Sequence, residues 1–123
     1  MELTLTIGGT LPGLNDYIKQ LNISKFRGAE LKRKTEKQIS AHIRKQLKGA
    51  CLTGPADIAI SWIEPNRKRD KDNISSAKKF IFDALVKNKV LQNDGWANIG
   101  TIKEHFSVDP KHPRVVVMIS GAE

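Results

Sequence analysis

The chain has one cysteine, Cys51, in 123 residues, so no internal disulfide can form. A reducing, cytoplasmic setting is expected. Cys51 falls between an expected helix end and an expected strand and reads as a packing residue rather than a nucleophile. No run approaches the ~20 apolar residues that a membrane span needs. The N-terminus alternates apolar and polar residues as a strand does, which is unlike a signal peptide. Phosphate loops of the Walker type, metal-spaced Cys/His sets and Ser-His-Asp patterns are all missing, and so is any sign of a small-molecule cofactor. His42, His105 and His112 are scattered and read as structural or surface residues.

Charge is plentiful, and it is concentrated. The formal net charge is +8. Ten lysines and arginines between Lys19 and Lys48, set against Glu30 and Glu36, account for all of it. A localised basic stretch favours a polyanionic partner, because phosphate contacts release condensed counterions. The plainer reading is a solvated, lysine-rich face that keeps the protein soluble. With 39% apolar and 28% charged residues, the composition is that of a folded domain, and the length suits a single one over 1–123.

Leu3, Leu5 and Ile7 alternate with polar residues and predict a strand over 2–7. Residues 18–28 are ambiguous. Leu31, Thr35, Ile39, Ile43 and Leu47 recur every four residues and predict a helix over 29–48, ending at Gly49. Lys32, Arg33, Lys37 and Arg44 fall off that stripe and give the helix a cationic face. Residues 57–63 predict a strand with apolar residues on both faces, as in a central strand covered on both sides. A second helix is expected over 75–89, from the spacing of Ala77, Phe80, Ile81, Ala84 and Leu85. The polar turn Gln92-Asn93-Asp94-Gly95 follows it. Strands near 98–108 and 114–120 complete an α/β domain of order β-α-β-α-β-β, with a mixed sheet of about four strands and two main helices.

The segment Arg67-Lys68-Arg69-Asp70-Lys71-Asp72-Asn73 interleaves acid and base. In extended backbone, Asp70 and Asp72 project to the same side and can share a hard cation such as Mg²⁺, with the neighbouring cations drawing in phosphate. A plainer role is open to Asp72 or Asn73, as caps of the following helix. A calcium loop of the EF-hand kind is excluded, because Ile74 and Ser75 stand where an oxygen ligand and the turn glycine are needed.

The ordered stretches Arg69-Asp70-Lys71-Asp72-Asn73, then Lys79 through Asp83-Ala84-Leu85, then Asn93-Asp94 resemble the signature of the RusA family of Holliday-junction resolvases. Leu11-Pro12 and Asn15-Asp16-Tyr17 also resemble that family's start. The similarity is strongest over 57–120, and residues 18–50 match only in helical, basic character. The resemblance implies a homodimeric endonuclease, dependent on Mg²⁺ with Mn²⁺ as a substitute, that nicks four-way DNA junctions symmetrically. It maps the essential carboxylates onto Asp70, Asp72 and Asp94. The family's lysine lies three residues after the asparagine and four before Asp-Ala-Leu. Here that interval is three residues longer: position 76 is serine, and Lys79 keeps the spacing to Asp83. Three extra residues turn a continuous helix by ~300° and advance it ~4.5 Å, whereas a longer loop leaves Lys79 in place. Lys79 is favoured, with Lys78 as its competitor.

On this reading Asp70, Asp72 and Asp94 hold the metal, Lys79 stabilises charge on the phosphate and Asn73 steadies a carboxylate. Asp83 reads as structural. Arg67, Lys68, Arg69, Lys71 and Asn73, with Lys32, Arg33, Lys37 and Arg44, contact DNA without reading sequence. The rival readings are a branched-DNA-binding module without nuclease activity and a nuclease for flaps or other branches.

Overall fold

Alternation builds the sheet, and it sets which face is covered. In β1 (Glu2–Gly8), Leu5 and Ile7 are fully buried while Glu2 and Thr4 are exposed. In β2 (Ala56–Glu64), Ile58, Ile60, Trp62 and Glu64 are buried in phase. β4 (Arg114–Gly121) contributes Val115, Val117 and Ile119 to the same face. Burying each of these larger side chains contributes about 1.5–3 kcal/mol. The computed structural model describes residues 1–121, and residues 122 and 123 of the expected domain lie outside the described residues.

The four strands are ordered β1-β4-β2-β3, with β3 spanning Ile99–Val108. β1 and β2 both run antiparallel to β4, and β2 runs parallel to β3. The sheet is therefore mixed, as expected. β2 is central, but its second face is not covered. Ala59, Ser61 and Ile63 are half-buried, and Met118 beside them is exposed. The neighbouring strands present Thr4, Lys103 and Ser120 on that side, which leaves a second layer only scattered apolar residues to pack on.

Each expected helix has a further helix ahead of it. Ahead of the basic helix stands α1 (Leu14–Ile23), which buries no residue fully. α2 (Lys25–Leu47) starts four residues earlier than the expected helix, because the Ser24 side chain caps it by accepting from the Arg27 N–H at 3.1 Å. Its buried residues include Thr35, Ile39, Ile43 and Leu47, the expected stripe. It ends at Lys48, which is left-handed at φ 48°, followed by Gly49 at φ 80°. Gln46 of α2 exchanges two hydrogen bonds with the backbone of Thr6, occupying part of β1's free edge.

The second expected helix, over 75–89, is α4 (Lys78–Lys87), and a short helix not expected from the sequence, α3 (Lys71–Ser75), precedes it across Ser76–Ala77. Residues between Asn73 and Lys79 therefore include a junction between two helices rather than one continuous helix. Asn88, off pattern for an apolar stripe, is satisfied by donating to Ser40 Oγ at 2.8 Å and the Ala84 carbonyl at 2.7 Å. Cys51 is exposed, and Leu52 next to it takes the packing position. No helix among the described residues is long and apolar enough to cross a membrane.

Candidate active site at the ends of the parallel strands

β2 and β3 end side by side at Glu64 and Val108. The carboxyl ends of parallel strands are where open α/β sheets place ligands. A cleft of about 450 Å³ lies there, lined by Arg67, Asp70, Lys71, Ile74, Phe106 and Val108, among others. Asp70 is exposed, and its carboxylate has no hydrogen-bond or ion-pair partner among the described residues. Its backbone is extended, at φ −71° and ψ 152°, and it occupies the N-cap position of α3 without making a side-chain cap bond.

The expectation of two carboxylates in one extended segment holds for Asp70 alone. Asp72 lies in the first turn of α3, where a negative charge complements the helix dipole. Its Oδ1 accepts from the Asn73 N–H at 2.9 Å. Asn73 turns away from the carboxylates: its Oδ1 accepts from the Asn15 N–H at 2.9 Å and ties the start of α1 to α3. The approach is close enough that a Cβ at Gly13 would collide with the Asn73 side chain.

The loop that delivers Asp70 is anchored by a buried ion pair. Glu64, in phase with the covered face of β2, is 6% exposed. Arg69 grips it with Nε at 3.0 Å and Nη2 at 2.9 Å, and Nη1 donates to the Leu11 carbonyl at 2.9 Å. With its donor fork occupied in this way, Arg69 has few donors left for phosphate and anchors the loop. Arg67 and Lys68 remain exposed. Lys71 lies over the Phe106 ring, 5.5 Å from its centroid.

Asp94 and Lys79 come together, but in a second cluster. Lys79 Nζ is 3.0 Å from Asp83 Oδ1 and 3.4 Å from Asp94 Oδ2. Lys32 also reaches Asp83, at 3.7 Å. The hydrogen bond to Asp83 raises the Lys79 pKa above its usual value; slight burial opposes this and Asp94 adds to it. The ammonium is therefore fully charged at neutral pH, suited to stabilising an anion and not to acting as a base. Lys78, the competitor, is instead bound to Glu104 at 2.5 Å and Ser75 at 3.0 Å. Arg33, Lys37 and Arg44 lie exposed on α2.

Among the described residues, no three His, Cys, Asp or Glu side chains are grouped to hold a metal ion. Asp70, Asp72 and Asp94 do not form one ligand set, because Asp94 is drawn to Lys79. The donors still fit Mg²⁺, which keeps several waters and is held through one or two carboxylates plus substrate phosphate.

The sequence reading missed Glu104 on β3. Ser75 donates to both of its carboxylate oxygens, at 2.9 and 2.6 Å, so the end of α3 is pinned to the sheet. Burial pushes the Glu104 pKa up, but the hydrogen bonds and charge of Lys78 and Ser75 together outweigh it and hold the carboxyl below its usual range. A lowered carboxylate pKa contributes stability that is present above the unfolded value and lost as pH falls through the folded one. Denaturant unfolding of Glu104→Gln is therefore expected to show a deficit at pH 7 that shrinks once pH drops below about 4. A deficit independent of pH would mean that packing, not charge, is what Glu104 contributes.

No protein-family model matches the chain, and no curated protein matches it in sequence.

Proposed function

We propose that this protein is a divalent-metal-dependent endonuclease acting on branched DNA, with the four-way junction as its substrate. The observation that carries this reading is Asp70, an unpaired carboxylate beside Arg67 and Lys71 in a cleft at the carboxyl ends of the parallel strands. It supports the ordered acidic motif from which the resemblance to the RusA family was read.

Asp70 and Asp72 would hold the metal, with Asp94 joining by exchanging Lys79 for it. Bound Mg²⁺ supplies a water of lowered pKa and a Lewis acid for the scissile phosphate. Lys79 keeps its proton and offsets charge developing on the phosphate. Arg67, Lys68 and Lys71, with Arg33, Lys37 and Arg44 of α2, contact backbone phosphates and position the strand without reading sequence. Lys32 serves mainly to hold Asp83.

The test is cleavage of an immobile four-way junction, with and without Mg²⁺, beside linear duplex and a flap. Paired symmetric nicks restricted to the junction and to metal support the reading. Preferential flap cutting redefines the substrate, and tight junction binding without cutting in Mg²⁺ or Mn²⁺ rejects the enzyme.

Symmetric nicking calls for two active sites related by a two-fold axis, which a homodimer provides. The apolar stripe Leu14, Ile18 and Leu21 on α1, continued by Ile23 and Phe26, is exposed and suits such an interface. Ile18→Glu is expected to turn a dimer into a monomer in sedimentation and to abolish the rise of Tm with protein concentration that a dimer shows. An unchanged sedimentation coefficient would place the interface elsewhere.

A further inference from the structure

Trp96 is the large apolar side chain most at odds with its surroundings. Its indole is 102% exposed, whereas the other tryptophan, Trp62, is 1% exposed. An indole left in water forgoes the stabilisation that one of the largest apolar surfaces in the alphabet would gain on burial. The loop carrying it is tightly turned. The Asp94 N–H donates to Asn93 Oδ1 at 2.8 Å, and the N–H groups of Asn98 and Ile99 both donate to the Gly95 carbonyl at 3.0 Å. The turn closes across Trp96, and its small exposed neighbours Gly95 and Ala97 leave the ring unshielded. Trp96 follows Asp94 by two residues, which puts their Cα atoms within roughly 7 Å of each other.

Phosphate contacts grip any backbone and touch no base face, so a single one cannot report where stacking is interrupted. An exposed aromatic ring can. Bases inside a helix are covered on both faces by their neighbours, so an indole finds a base face to stack on only where stacking is interrupted, as at an opened branch point. We propose that Trp96 is a stacking platform for a base whose face is uncovered at the opened branch point, and that it discriminates branched from linear DNA beside the Asp94–Lys79 cluster. The inference rests on the branched-DNA reading above. The Lys79 ammonium, 3.4 Å from Asp94 two residues before the ring, is a local cation that a backbone phosphate can meet while its base lies on the indole.

The experiment uses the intact protein in EDTA, so that nothing is cut. Trp62 emits as a buried indole and Trp96 as a hydrated one, which separates the two by wavelength. An immobile four-way junction is expected to quench the red-emitting component and shield it from iodide, and a duplex of equal length is not. Trp96→Ala is expected to weaken junction binding about tenfold, the order of one lost base stack, with duplex affinity unchanged within about twofold. Trp96→Phe should restore most of the loss.

Junction binding without quenching would overturn the inference, as would equal weakening on both DNAs. So would a blue shift of the red component on raising protein concentration without DNA, which would mean that a second copy covers the ring. Because no metal is present, the two readings fail separately. Quenching by a protein that never cuts keeps the stacking role and rejects the nuclease, and cutting without quenching does the reverse.

Discussion

Asp70→Asn is expected to lower metal-dependent junction cleavage on the order of 10³-fold, with junction affinity unchanged within about twofold. Losing one of two carboxylate donors to a hard cation weakens the metal and removes several kcal/mol of charge stabilisation in the transition state, and each 1.4 kcal/mol is tenfold in rate. The substitution is structurally quiet. The Asp70 side chain has no partner to lose, and asparagine serves an N-cap position as well as aspartate does. Asp72→Asn should behave the same way, since an amide oxygen can still accept from the Asn73 N–H. Thermal melts of both variants should overlay the parent. A variant that loses binding and cleavage together would show the carboxylate shaping the loop instead of the chemistry.

Asp94→Asn separates two versions of the site. As folded, Asp94 is paired with Lys79. If it moves to the metal during the reaction, its loss should match that of Asp70→Asn. If it only steadies Lys79, the loss should be about tenfold and should resemble that of Lys79→Met. Comparing the three variants at saturating Mg²⁺ decides between them.

Burial in phase made the sheet legible from sequence. Leu5 and Ile7, then Ile58, Ile60 and Trp62, alternate as the covered face does, and the four-residue stripe of α2 fell where it was read. What escaped were the elements without a buried face. α1 buries nothing fully, so its helical spacing of Leu14, Ile18 and Leu21 was masked by the Pro12-Gly13 break before it. The first turn of α2 is exposed except for Gly28 and is marked only by its Ser24 cap. Within the site, local spacing placed Asp70 and Asp72 near each other but could not show that Asp94 belongs with Lys79, because that depends on how α4 lies against a distant turn. One signal was available and went unused: Glu64 continues the phase Ile58, Ile60, Trp62, and so pointed its carboxylate inward, where a cation had to meet it.

That buried carboxylate gives the largest expected effect on stability. Arg69→Ala leaves Glu64 charged and buried without a partner, and takes a donor from the Leu11 carbonyl. Breaking a buried pair from one side costs 3–5 kcal/mol, and partial exposure of Arg69 lowers the figure here to about 2–3 kcal/mol. For a domain of this size that is a drop in Tm of about 10 °C. Replacing both partners by methionine should recover most of the loss, because no uncompensated charge remains. Arg69→Lys should recover little, since a single ammonium cannot reproduce the forked grip. Cleavage should fall with Arg69→Ala even below its melting temperature, as the loop loosens and Asp70 drifts from its position; misplacement by about 1 Å is enough to cost on the order of 10²-fold. The opposite pattern has a clear meaning. An unchanged melt, with uniformly weaker DNA binding and a salt slope reduced by about one, would make Arg69 a phosphate ligand. The Glu64 pair would then be a resting contact that the guanidinium leaves on binding.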